Sequence, residues 1–208
     1  MKKVAIALVL AVLVTGVAFA DFSMSAGGGL LLDMSYGNGL EGDIDVSFDN
    51  TSFGAFVFFD LTYIEASLYY SYGIVKSEIS GGGQSMQLMP DMNLSQFGFT
   101  LLGKIPIELG GFVLFPAFGI GYNSVLSATD EDGATYSDAA DLSQFGLLLG
   151  AGADFPLGDG LFLRAEALCN IRLPSKVMVD LLDYLKPLAD KTTVGLGPCI
   201  KVGMGFKL

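Results

Sequence analysis

The chain has 208 residues, 51% of them hydrophobic and 28 of them glycine, with a mean hydropathy of +0.55. Its 22 acidic side chains against 11 basic ones exclude a nucleic acid as partner. It has no His, which excludes the usual mechanisms of membrane-barrel hydrolases and acyltransferases and points away from an enzyme.

The N-terminus has the three parts of a secretory signal peptide. These are Met1-Lys2-Lys3, the apolar run Val4 to Val17, and the small-residue site Ala18-Phe19-Ala20. Cleavage is expected after Ala20, giving a signal peptide over 1–20 and one domain over 21–208. Without Lys2 and Lys3 the domain keeps 9 basic and 22 acidic side chains, a balance of 9 − 22 = −13. Beyond the signal no stretch runs about 18 apolar residues without a charge. Phe53 to Tyr72 carries Asp60 and Glu65 and is rich in Phe and Tyr, which reads as two strands. An exported, very apolar chain without membrane helices has one spanning solution left. That is a closed β-barrel, in which every backbone group is paired.

Eight strands follow in order, alternating an apolar, lipid-facing parity with a small or polar, lumen-facing one. The first, Phe22 to Tyr36, sets Met24, Ala26, Leu30, Leu32 and Met34 against Ser23, Ser25, Gly27, Gly29, Asp33 and Ser35. The second, Phe53 to Leu61, is apolar on both parities, so its faces stay open. The third, Tyr63 to Gly73, sets Ile64, Leu68, Tyr70 and Tyr72 against Glu65, Ser67 and Ser71. The fourth and fifth form a hairpin within Asn93 to Tyr122, turning at Gly110-Gly111. Pro116 lies inside the fifth and predicts a bulge or distortion there, because proline cannot donate to the ladder. The sixth is Leu142 to Phe155. The seventh, Leu161 to Leu173, carries Arg164, Glu166, Asn170 and Arg172 on its polar parity, and the eighth, Thr193 to Leu208, carries Lys201 and Lys207 there.

The pentapeptide Leu94-Ser95-Gln96-Phe97-Gly98 recurs as Leu142-Ser143-Gln144-Phe145-Gly146 and marks the start of descending strands. Connections near Leu61 to Tyr63, Glu108 to Gly111 and Pro156 to Gly160 are short. Those near 37–52, 75–92, 127–141 and 174–192 are long, the pattern of periplasmic turns and extracellular loops. An even strand number then places both termini in the periplasm. Val177, Leu181, Leu182 and Leu185 have helical spacing before Pro187, so a short amphipathic helix on the barrel mouth is expected, either as a lid or as a packed rim loop.

The presumed lumen charges balance: Asp33, Asp60, Glu65, Asp154 and Glu166 against Lys104, Arg164, Arg172, Lys201 and Lys207. Such balance in a narrow barrel predicts an interior closed by ion pairs, with a polar channel as the alternative. The excess acid lies in the first long loop (Glu41, Asp43, Asp45, Asp49) and the third (Asp130, Glu131, Asp132, Asp138, Asp141). These clusters are either solvated or hold divalent cations. In the first loop Asp43, Asp45 and Asp49 alternate with Ile44, Val46 and Phe48, which leaves room for a hairpin extending beyond the membrane. Cys169 and Cys199 fall on opposite faces of neighbouring strands. A disulfide would need a bulge at Pro198; the alternative is two unpaired thiols. No catalytic, cofactor or resident metal site is read from the chain.

The fold class expected is therefore all-β, an eight-stranded antiparallel up-and-down transmembrane barrel. With its signal peptide and the alternating final strand Val202 to Leu208, the chain resembles the small eight-stranded outer-membrane barrels, the OmpW, OmpX and OmpA-transmembrane class. The resemblance covers the whole mature chain. It implies a place in the outer membrane of a diderm bacterium, with outer-membrane lipids and the barrel-assembly machinery as partners, and passive passage or binding of small hydrophobic solutes as in OmpW. A second reading stays open: a non-conducting structural or surface-interaction barrel, adhesin-like, with acidic extracellular loops.

Overall fold

A computed structural model describes residues 23–41, 44–81, 84–137, 139–173 and 195–208. The strands are β1 (Met24–Glu41), β2 (Ile44–Leu61), β3 (Ile64–Gly81), β4 (Gln84–Lys104) and the two-residue β5 (Ile107–Glu108). They continue with β6 (Val113–Asp130), β7 (Gln144–Gly158), β8 (Leu161–Arg172) and β9 (Gly195–Lys207). Every pairing is antiparallel. Eight strands close into a ring in the order β1-β2-β3-β4-β6-β7-β8-β9, and β1 pairs back onto β9 from Ser25↔Lys207 to Tyr36↔Leu196. The small β5 lies on the edge of β6 and continues the line of β4.

Period-two alternation decides which face each residue takes. On β3 Ile64, Leu68, Tyr70, Tyr72 and Ile74 are exposed while Glu65, Ser67 and Ser71 are buried. The same split runs around the ring and resolves β2, whose Phe53, Val57 and Phe59 face out and whose Phe56, Phe58 and Asp60 face in. At ~3.3 Å per residue and a tilt of ~40°, the outward apolar run from Ile64 to Ile74 spans roughly 25 Å, the height of a hydrocarbon band. Aromatic rings edge the band. Tyr122 packs between Phe99 (centroids 6.1 Å apart) and Phe145 (4.6 Å) toward one edge, and Phe112 packs on Phe155 (5.5 Å) near the other.

The end of the barrel that carries Ser23 and Leu208 also carries the three tight turns. Asp159 and Gly160 both have positive φ (50° and 79°), the conformation of a two-residue hairpin turn matched to strand twist. Thr62 adopts φ 29°, unusual for a β-branched residue. Ser23, just before β1, holds it there: Thr62 N donates to Ser23 O (3.0 Å) and Ser23 N donates to Thr62 Oγ1 (2.9 Å).

Several expectations change at the opposite end. The connections near 37–52 and 75–92 are not loops: β1 and β2 stay paired out to Glu41↔Ile44, and β3 and β4 out to Gly81↔Gln84. Among the described residues the pairing of β9 with β1 reaches Tyr36↔Leu196 and that of β6 with β4 reaches Met92↔Asp130. A four-stranded sheet therefore projects beyond the closed ring. The repeated pentapeptide marks not where β4 begins but where it enters the apolar band, with β6 between the two copies. At Pro116 the pairing of β6 with β7 continues in register. The interruption falls on the other side, where Ile105 and Pro106 separate β4 from β5 and Ile105 N donates to Pro116 O (3.2 Å). The missing donor thus faces a gap in the ladder; the bulge in that strand pair lies instead at Ser95/Gln96. Leu168↔Cys199 and Cys169↔Pro198 remain in register, so no bulge turns the two sulfurs to one face, and both thiols are free. The helix expected near 175–185 lies outside the described residues.

Candidate functional site

The lumen is the one place where this sequence concentrates buried charge. Arg164 of β8 is fully buried at the short-turn end and gives its guanidinium to three acids. Nε and Nη2 grip Asp154 on β7 (2.7 and 2.6 Å), Nη1 reaches Glu65 on β3 (2.7 Å) and Nη2 also reaches Asp60 on β2 (2.7 Å). Lys104 of β4 pairs with Asp60. Lys201 of β9 stands 3.6 Å from Glu65 and 3.2 Å from Glu166, and Ser67 Oγ donates to Glu65 (2.8 Å). Farther up, Arg172 pairs with Asp33. Nine of the ten charged positions expected in the lumen are thus inside and in ion pairs. Lys207 is exposed at the end of β9, apart from the network.

Sequence patterning misses the rings that pack this network. Arg164 lies 4.4 Å from the Phe58 centroid, 5.1 Å from Phe115 and 5.2 Å from Phe162, and Lys104 lies 4.5 Å from Phe115. The signal is visible only once the register is known. Phe58 opposes Gly27, Gly27 opposes Gly205 and Gly205 opposes Phe162, so one ring row reads aromatic, glycine, glycine, aromatic. A Cβ on Gly205 would enter the Phe162 ring, and one on Gly152 would enter Phe115. Gly27, Gly152 and Gly205 on the lumen parity are sockets for rings.

The middle of the lumen is polar and nearly full. Asn123 donates to Gln96 (2.8 Å), and the space left among Asp33, Tyr69, Asn123, Asn170 and Arg172 is about 20 Å³, room for about one water. Above it, Leu94, Val125, Ala128 and Ala139 form an apolar cluster with Val75, Met92 and Leu142. Ala139 and Leu142 belong to a single 3-10 turn (Ala139–Leu142) of the third outer connection, which Val125 N ties down by donating to Ser143 Oγ (3.1 Å). Among the described residues the lumen is filled by salt bridges at one end and lined by this apolar cluster on its β3–β4–β6 side at the other.

The acidic groups take two forms. Asp49, Glu78 and Asp91 of the projecting sheet, with Glu131 of the turn after β6, border an open concavity of about 390 Å³ with Lys76, which pairs with Asp91 at 3.3 Å. Asp130 instead accepts from Ala134 N (2.8 Å) and shapes a turn through Gly133, whose φ is 83°. Among the described residues no three metal-ligating side chains converge. Asp43 and Asp138 lie outside those residues.

No protein-family model matches this sequence, and no curated protein does. Solved structures similar to the chain include Neisserial surface protein A, at 12% identity over 90% of this chain and 97% of that one, with a TM-score of 0.47. Another is Ail, the attachment invasion locus protein of Yersinia pestis, in complex with the heparin analogue sucrose octasulfate (14% identity, 91% and 100% covered, TM-score 0.38). A third is a major outer membrane protein from Thermus thermophilus (16%, 86% and 99%, 0.37). At such identities the likeness is one of fold.

Proposed function

We propose that this chain, exported on a signal peptide cleaved after Ala20, is a non-conducting, non-catalytic barrel of the outer membrane that presents an acidic platform at the cell surface. The observation that carries the reading is the filled lumen. Among the described residues, ion pairs fill its short-turn end, the pocket in its middle is about 20 Å³, and an apolar cluster of β3, β4, β6 and the 3-10 turn packs above it. A pocket for a small solute needs about 300 Å³ or more. The roughly 25 Å apolar band with aromatic edges supports insertion in a bilayer, and the tight turns beside both termini support a periplasmic position for that end. The projecting sheet carries Asp49, Glu78 and Asp91, with Glu131 of the neighbouring turn after β6, against Lys76, so the fitting partners are cationic groups, or anionic lipid headgroups bridged by divalent cations. That charge disfavours a bare anionic glycan.

Planar-bilayer recordings and solute-uptake assays on the refolded mature chain test this reading. The expected result is an inserted, heat-modifiable protein with no steady conductance and no uptake of hydrophobic solute. Reproducible conductance or uptake at the level of a known channel would overturn it in favour of the OmpW-like passage that the family resemblance implies.

A further inference from the structure

Among the described residues seven buried side-chain oxygens have no hydrogen-bond partner in the protein, and three of them belong to residues that border a single space. These are Asp33 Oδ1, Asn123 Oδ1 and Asn170 Oδ1, around the pocket of about 20 Å³ in the middle of the lumen. The three residues come from distant parts of the chain, on β1, β6 and β8, and each takes the lumen parity of its strand. Contacts elsewhere hold two of them. Asp33 gives its other oxygen to Arg172, and Asn123 Nδ2 donates to Gln96 Oε1 (2.8 Å), which also accepts from Ser71 Oγ (3.4 Å). Asp33 is 4% exposed and Asn123 8%, so neither reaches bulk solvent.

A buried acceptor is costly unless something donates to it. A space of this size admits one water molecule, which has two protons to give and three acceptors to choose from. Charge argues against a metal ion of the same size. Asp33 is already answered by Arg172, and both Arg172 and Lys201 line the space, so an ion would face two positive groups. We propose that one water molecule is a fixed part of the lumen, donating to two of the three oxygens of Asp33, Asn123 and Asn170. The bridge joins the Ser71–Gln96–Asn123 chain of β3, β4 and β6 to the Asp33–Arg172 pair of β1 and β8. A polar belt then crosses the bore from wall to wall, a second closure above the salt-bridge plug. It refines the filled lumen on which the proposed function rests.

Magnetic relaxation dispersion of the water oxygen counts long-lived internal waters in the refolded mature barrel in detergent. The count is expected to fall by about one in Asn170→Leu, whose apolar side chain occupies the space. Crystals of the wild type are expected to show a water within hydrogen-bond distance of at least two of the three oxygens. Equal counts in the wild type and Asn170→Leu overturn the proposal. So does density at the site that gives a rubidium anomalous signal after soaking, the mark of a bound cation. Should Asn170→Leu lose its heat-modifiable migration, Asn170→Ala opens the space instead and is expected to raise the count by about one; a count that does not rise is equally fatal. Neither readout involves conductance, so its outcome is separate from that of the bilayer recordings.

Discussion

Arg164 is the residue on which the short-turn end depends, because one buried guanidinium serves Asp60, Glu65 and Asp154 from three different strands. Arg164→Met keeps the unbranched stem but removes the guanidinium and leaves these acids facing one another with only Lys104 and Lys201. Removing one partner of a buried ionic group costs about 3–5 kcal/mol, far more than the pair itself contributes. Urea unfolding in detergent micelles should show a loss of that order. An unchanged midpoint would mean that water already screens the cluster. The position of Arg164 was legible in the sequence, since Arg164, Glu166 and Arg172 share one parity of β8 and charges there have only the lumen to face. The rings around it were not legible. Phe56 and Phe58 lie in a strand that is apolar on both parities, and nothing local distinguishes a phenylalanine facing lipid from one filling the bore. Only the cross-strand register, which brings Gly27 and Gly205 between Phe58 and Phe162, shows that glycine makes the room and phenylalanine uses it.

At the scale of elements, strand identity was readable wherever one parity was apolar, and strand ends were not. Alternation against lipid stops at the membrane edge, but backbone pairing does not. Beyond Asp49 and Lys76 the outward residues become polar, so a pattern keyed to an apolar face reads loop where β1, β2, β3 and β4 continue. The Gly81-Gly82-Gly83 run strengthened that misreading for the second connection, whereas the alternation of Asp45 and Asp49 with Val46 and Phe48 already hinted at the first. The rows of β3 and β4 beyond Val75 and Met92 run past the last pair of β4 with β6, Met92↔Asp130. They are therefore separable from the ring. Replacing residues 79–86 by a two-residue Asn-Gly turn removes the end of the β3–β4 hairpin without touching the band or the plug. The variant is expected to keep the migration difference between boiled and unboiled samples and the urea midpoint of the parent. Loss of folding would show that this hairpin nucleates the barrel and is not an appendage of it.

At the scale of the whole molecule the barrel is organised inside out, with charges buried and Leu, Phe and Tyr exposed. The exposed group includes Leu149 at 62% and Leu68 at 50%. For a barrel in water, such as a soluble lipocalin-like one, exchanging an exposed leucine for arginine changes stability by no more than about 0.5 kcal/mol. In a bilayer the same exchange depends on depth, about 2–4 kcal/mol at the midplane and near zero outside the band. Leu149 lies midway along the outward face of β7, between Phe145 and Phe155. Met86, exposed to 69%, lies on the projecting hairpin beyond the band. Arginine at each position separates the two environments. In lipid vesicles Leu149→Arg is expected to lower unfolding stability by about 2–4 kcal/mol and Met86→Arg to leave it unchanged. The comparison also controls for strand propensity and net charge, because both substitutions place one arginine at an exposed strand position. Equal, small effects would remove the protein from the bilayer, and with it the reason for a lumen closed by buried salt bridges beneath an acidic outer platform.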